Sequence, residues 1–437
     1  MNVLCIYSRT ATYTNAVFDY LNAFTRSGKH SWFFLGHDGG GALGVSLDEF
    51  DAVCIHYSVR VAYNELSRES AEAIAAYRGL KAIFLQDEYE NTKNTSGWIR
   101  RLKVSLVFTV VPEAGVAAVY PPAEFPNVRF VSCLTGYAPA PMPNFDRQVH
   151  PSQRRIVVGY RGRPLPLKYG ELGREKIAIG AMVRSYCEQL GIPSDIRWDE
   201  EGRIYGDAWP AFLGSCRAML ATESGSNVFD WDGNLEGEIA EYRKANPTAT
   251  EGDIHSALIA SREQPGLMNQ ISPKVFEAIG ARTALVLFEG GYSGVLTPWR
   301  HYIPLKKDGS NLAEVFSALS NEDLVDTMTE VAYSDIILSG RHSYQQFVDK
   351  VDEEIAAAFG ATAGAPPGPA ASMPRPKSPR VAERPTRYHK YRESWGVRLV
   401  YIERGGVGRW YPRTLVESWL RLPVPVRKRV KALLKRS

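Results

Sequence analysis

Short apolar runs lacking clean polar alternation recur through the first 140 residues, and helical patterns separate several of them. The runs are Val3–Tyr7, Ser31–Leu35, Ala52–His56, Ala82–Leu85, Leu106–Val111 and Val128–Val131, with helix-like stretches at Thr14–Thr25 and Glu69–Tyr77. A strand that is apolar on both sides must be covered on both faces, which is the condition of a strand inside a parallel sheet. Strand–helix alternation with short connections then leads to a doubly wound α/β domain.

A Pro-rich stretch, Tyr137-Ala-Pro-Ala-Pro-Met-Pro-Asn144, interrupts the series and reads as an interdomain linker. A second series opens at Arg155-Ile-Val-Val-Gly159 and runs through strands near Ile196, Ala218–Ala221, Ala284–Phe288 and Tyr302–Leu305. The expected organisation is a first Rossmann-like domain over 1–140 and a second over 151–359 that carries a polar helical insert at 235–263. A low-complexity linker at 360–386 and a basic tail at 387–437 follow. Two such domains facing a cleft form a small-molecule site, because ligands bind beyond the carboxyl ends of parallel strands.

Two segments carry the chemistry. In Ile271-Ser-Pro-Lys274-Val-Phe-Glu277-Ala-Ile-Gly280, a helix begins at Pro273, and after a buried strand comes the turn Gly290-Gly291. Backbone N–H groups of such a turn can approach a phosphate closely, and a helix carboxylate such as Glu277 can accept paired ribose hydroxyls. A solvated glutamate and an ordinary glycine turn remain the bland alternative. In Gly162-Arg163-Pro-Leu-Pro-Leu-Lys168-Tyr-Gly170, two cations stand five residues apart on a braced loop after a strand. They suit the developing charge of a diphosphate leaving group; the alternative is a solvated basic loop.

In order and spacing these segments resemble the donor-binding core of GT-B glycosyltransferases, with Phe276-Glu277-Ala278-Ile279-Gly280-Ala281 and Gly290-Gly291 in place of that family's helix and turn. Lys274 ahead of Phe276-Glu277 is closer to the spore-coat-maturation-like branch, and Arg163…Lys168 parallels the family's basic diphosphate loop. The resemblance implies a two-domain α/β fold, a nucleotide-sugar donor as co-substrate with no further cofactor, and a donor site made of Arg163, Lys168, Lys274, Glu277, Gly290 and Gly291. One departure is visible: the first glutamate of the family's E-x7-E pattern falls on Asn269. Glu223, just after a strand, is an alternative source of an acidic contact.

For catalysis the first domain offers Gln86-Asp87-Glu88-Tyr89 directly after a strand, with Asp87 the first candidate general base for an acceptor hydroxyl and Glu88 the second. His56, also at a strand end, reads more readily as a structural histidine. Gly39-Gly40-Gly41-Ala42-Leu43-Gly44 spells a dinucleotide fingerprint but follows the second strand, so a loop is expected. Asp230-Trp231-Asp232 reads as a helix-entry loop instead of a metal motif. No metal site is expected, since the eight histidines and five dispersed cysteines show no ligand spacing.

Charge is segregated. Residues 375–437 hold 18 lysines and arginines against four acids, net +14, whereas residues 1–374 hold 34 against 44, net −10. Val426, Val430, Leu433 and Leu434 fall on one helical face among cations, which suits an anionic membrane surface contacted through 387–437. Docking of the tail on the acidic body is the alternative, and nucleic acid is not expected because no recognised module accompanies the tail. The first residues read as a strand with no signal-peptide n-region, and no apolar run reaches bilayer length. The expectation is a cytoplasmic glycosyltransferase, peripheral on the inner face of a membrane, acting on a glycan, lipid-linked or protein acceptor in bacterial surface-glycan assembly. A nucleotide-sugar epimerase and a non-catalytic sugar- or nucleotide-binding protein remain as alternatives.

Overall fold

A computed structural model describes residues 1–140, 149–204, 206, 208–362 and 381–388, and the backbone of strands 391–394, 397–404 and 407–412. The first six apolar runs become β1 (Asn2–Ser8), β2 (Ser31–His37), β3 (Ala52–Ile55), β4 (Leu80–Phe84), β5 (Leu106–Thr109) and β6 (Arg129–Ser132). They pair in parallel in the order β2-β1-β3-β4-β5-β6. Successive side chains of a strand point to opposite faces, so β1 divides itself between two cores. Leu4 and Ile6 enter one with Val53 and Ile55, while Val3 and Cys5 enter the other with Cys54 and Phe84.

The second series forms β7 (Ile156–Arg161), β8 (Ser194–Arg197), β9 (Cys216–Ala221), β10 (Ala284–Phe288) and β11 (Ile303–Leu305), all parallel, in the order β11-β10-β9-β7-β8. Counting each domain from its own first strand, the second sheet has the order 2-1-3-4-5 and the first the same order extended by a sixth strand, and in both the order reverses beside the first strand. The resulting crevices lie at the carboxyl ends of β1 and β3 and of β7 and β9. Contacts across the gap, among them those of Glu90 with Tyr169 and Lys168 and of Lys93 with Asp232, bring these ends face to face. This is the two-domain GT-B layout that the sequence resemblance implies.

Two segments cross between the domains. The helix Tyr344–Thr362, most of which falls within 151–359, packs on the first domain instead, where Phe347, Val348, Val351 and Ile355 join Tyr20, Phe24 and Phe84. Its buried Asp352 accepts hydrogen bonds from Trp32 Nε1 and Ser27 Oγ. The insert, with helices at Leu235–Ala245 and Glu251–Ile254, has a small core of its own built on Leu167, Val228, Leu235 and Ile259. Flanking it, Phe229 and Met268 enter the core of the first domain.

The C-terminal region departs from a simple linker and tail. Ala382 pairs with Phe34 on the outer edge of β2, so residues 381–388 cover an edge that would otherwise be open. Beyond it, β12 (Tyr391–Ser394), β13 (Val397–Arg404) and β14 (Val407–Pro412) form an antiparallel sheet inside what the sequence presents as a basic tail. The amphipathic stretch Val426–Leu434 lies outside the described residues, among which no helix is long and apolar enough to cross a membrane.

Candidate active site

The first-domain side of the cleft is organised by the turn after β4. Asp87 has φ +53°, a left-handed conformation that side chains other than glycine, asparagine and aspartate adopt rarely. That turn separates two neighbouring carboxylates. Asp87 opens into the cleft, and its Oδ1 accepts a hydrogen bond from Tyr89 OH at 2.7 Å. The surrounding protein crowds it enough to raise its pKa, through desolvation first, against the lowering fields of Arg60 and Arg163.

Glu88 points the other way. It is fully buried and accepts hydrogen bonds from Thr109 Oγ1, from Val110 N at 2.9 Å and from Tyr120 OH at 2.8 Å. The sequence offers it as the second catalytic candidate. The structure corrects that reading, because the carboxylate ties β4 to β5 and does not face the cleft. Glu90 is the second cleft acid instead, accepting from Tyr63 OH and, across the domain boundary, from Tyr169 OH and Lys168. These donors hold its pKa below the ordinary value in spite of burial. His56 is a core histidine: Nδ1 lies 2.9 Å from Ser58 Oγ, and burial lowers its pKa to about 3.

On the second-domain side, three cations stand at the ends of β7 and β9. Lys274 Nζ donates to the Arg161 carbonyl at 2.9 Å and lies over the Trp209 ring. Lys176, on the helix Gly170–Leu190, donates to the Glu223 carbonyl at 3.0 Å. Its pKa falls to about 8, by burial and then by the charge of Lys274. Arg163 is exposed and makes no ion pair among the described residues, yet its charge is felt by both Lys274 and Asp87. Glu277 accepts from Trp209 Nε1 at 2.7 Å, and burial raises its pKa against the opposing field of Lys274.

Two sequence candidates have other partners here. Lys168 lies between Glu90 and Glu236, 3.3 Å from each, so its charge is already matched across the domain boundary. Beside Gly290-Gly291 lies the buried carboxylate of Glu223, which accepts from Tyr292 N and from Asn269 Nδ2, both at 2.7 Å. A Cβ on Gly290 would come within 2.8 Å of that carboxylate, which explains the glycine. Glu223 is thus hydrogen-bonded to Asn269, the position where the sequence resemblance would put a glutamate. Lys176 carries no motif of its own, and only its position nearly two turns inside a helix that follows a basic loop could have suggested it.

The other motifs resolve locally. Asp230 Oδ1 accepts from Asn234 N and Leu235 N at the entry of the insert helix, and Asp232 pairs with Lys93. The Gly39–Gly44 stretch is a loop whose Gly41 carbonyl accepts from Ser67 and Ser70.

No family model matches this chain, and no curated protein matches it. Among solved structures, Anabaena HepE in complex with UDP and glucose is similar with TM-score 0.46 at 12% identity, over 82% of this chain and 100% of that one. An alpha-glucosyltransferase in complex with UDP and a 13-mer DNA is similar with TM-score 0.47 at 9% identity, over 82% and 99%. A trehalose-6-phosphate structure from E. coli bound with UDP-2-fluoro glucose gives 0.42 at 10%, over 81% and 99%.

Proposed function

We propose that this protein is a glycosyltransferase that moves a sugar from a nucleotide-sugar held by the second domain to an acceptor hydroxyl held by the first. The observation that carries the reading is the juxtaposition of Arg163, Lys176 and Lys274 with Asp87 across one cleft. In the reaction, the bond from the anomeric carbon to the diphosphate oxygen breaks, and the nucleoside diphosphate leaves with the electron pair. The acceptor oxygen bonds to that carbon. Its proton passes to Asp87 in an inverting course, or to the departing phosphate in a retaining course with Asp87 only holding the acceptor. The three cations stabilise the leaving charge, Glu277 receives ribose hydroxyls, and Glu223 lies at the sugar end. No cofactor beyond the co-substrate enters this reading.

The test is calorimetric titration of the protein with ADP, GDP, UDP and their sugar conjugates, repeated on Arg163→Ala plus Lys274→Ala. Binding that depends on the diphosphate and falls about 100-fold or more in the double variant is expected, since each charged hydrogen-bonding partner contributes roughly 1.5–3 kcal/mol. No binding by any of them, or binding untouched by the substitutions, overturns the assignment. The acidic body and basic C-terminal region support a role in surface-glycan assembly at the inner face of a membrane, with residues 389–437 as the contact. Flotation with vesicles containing anionic lipid should be lost on deletion of 389–437; equal flotation of both forms removes that part of the proposal.

A further inference from the structure

We infer that the cavity at the carboxyl ends of β1, β3 and β4 takes a neutral, hydroxyl-rich sugar ring as acceptor and excludes phosphorylated ones, a reading that rests on the transfer reaction proposed above. The cavity measures about 480 Å³ and occupies the topological switch point of the first sheet, with Asp87 in its wall. Tyr13 and Tyr63 line it while remaining 38% and 41% exposed, although large aromatic side chains ordinarily lose far more of their surface on folding. An aromatic face carries negative charge density, which attracts the weakly positive C–H face of a pyranose and offers an anion nothing.

The polar groups of the wall point the same way. Ser8 Oγ and Thr10 Oγ1 lie 3.2 Å apart as a pair of hydroxyls, and Asp87, one oxygen of which accepts from Tyr89, stands in the same wall. Hydroxyls and a carboxylate match sugar hydroxyl groups, which both donate and accept. Arg60 is the one cation among the described lining residues, and Glu65 engages its Nε at 2.9 Å as well as its Nη2. The wall therefore sets Glu65, Asp87 and Glu90 against a single guanidinium that is already matched. Lys168, which pairs with Glu90, belongs to the domain boundary, and Arg163 stands on the donor side of the cleft. A phosphoryl group entering here would meet carboxylates without an unengaged cation, and like-charge juxtaposition rejects it.

The test uses the full chain at pH 8, without nucleotide, and follows saturation-transfer NMR titrations of methyl α-D-glucopyranoside and of glucose 6-phosphate. The neutral glycoside is expected to bind about tenfold or more tightly than the phosphorylated sugar. Tyr63→Ala should weaken the glycoside about tenfold, and Asp87→Asn should narrow the gap between the two probes. Tyr63 is exposed, so its variant keeps the test valid if Asp87→Asn proves unstable. Equal or tighter binding of the phosphorylated sugar, or binding of neither, overturns the inference. Titration of UDP, ADP and GDP into the same sample separates the two readings. Nucleotide bound with neither sugar defeats the cavity alone, whereas glycoside bound with no nucleotide upholds the sugar site and defeats the transfer reading.

Discussion

Asp87 combines a desolvated carboxylate with an opening onto the cleft, and each leaves a measurable trace. Desolvation by the surrounding protein raises its pKa even though the side chain opens into the cleft. The stability linked to its protonation is therefore complete below the unfolded value and is lost as pH rises through the raised folded value. Asp87→Asn should accordingly melt higher than the wild type at pH 8 by differential scanning calorimetry, with the difference shrinking toward pH 4. The same change should slow transfer by about 100-fold or more if the group is the general base. Glu88→Ala is expected to do the reverse. It strips the acceptor from Thr109, Val110 and Tyr120 and should cost about 2–4 kcal/mol in urea unfolding, while leaving diphosphate binding near that of the wild type.

Lys176 provides a signature on the donor side. Its pKa of about 8 reflects burial beside Lys274, and an arriving diphosphate should return it toward its ordinary value. Binding at pH 8 should then take up as much as about half a proton, read by calorimetry in buffers of different ionisation enthalpy. Lys176→Met should abolish that uptake.

At the scale of elements, the segment 381–388 stands out because it closes the fold from far along the sequence. It pairs with the edge of β2, and the fully buried Thr12 donates to Thr386 O and accepts from Tyr388 N. Arg387 lies over the Phe18 ring and hydrogen-bonds Asn15. Thr12 belongs to the short helix Thr10–Tyr13, of which Thr10, Ala11 and Tyr13 line the cavity. Deleting 381–437 should therefore lower the melting temperature and promote association through the uncovered strand edge, measured by calorimetry and light scattering. Deleting only 389–437 should preserve the melting temperature.

Across the whole molecule, the domains are joined by polar contacts as well as by the crossing segments. Glu90 receives Tyr63 from its own domain and Tyr169 and Lys168 from the other, and Lys93 pairs with Asp232. Glu90→Ala would leave Lys168 with Glu236 alone and Tyr169 OH without its acceptor. Hydrogen exchange in residues 90–95 and 228–236 should quicken by about tenfold or more, the equivalent of 1.4 kcal/mol of local stability. Unchanged exchange there would show that the hydrophobic crossings hold the domains without this contact.

Both parallel sheets were legible in the chain because burial on two faces imprints continuous apolar runs on the central strands, and that imprint is local, whereas the edge strands β6 and β8 carry one buried residue each. The basic loop, the helix bearing Lys274 and Glu277, and the strand-end acids could be read for the same reason: each occupies a fixed place next to a strand. Tertiary structure alone decided which of those charges are available. Lys168 and Glu88 have the residue types and spacing of functional groups, yet one is matched by acids from distant segments and the other is turned into the core. Lys176 and Glu223 lack a motif and were brought beside Lys274 and Gly290 by the packing of a helix and a loop on the second sheet. A charge is available or spent according to its neighbours in space, and those neighbours lie tens to hundreds of residues away along the chain.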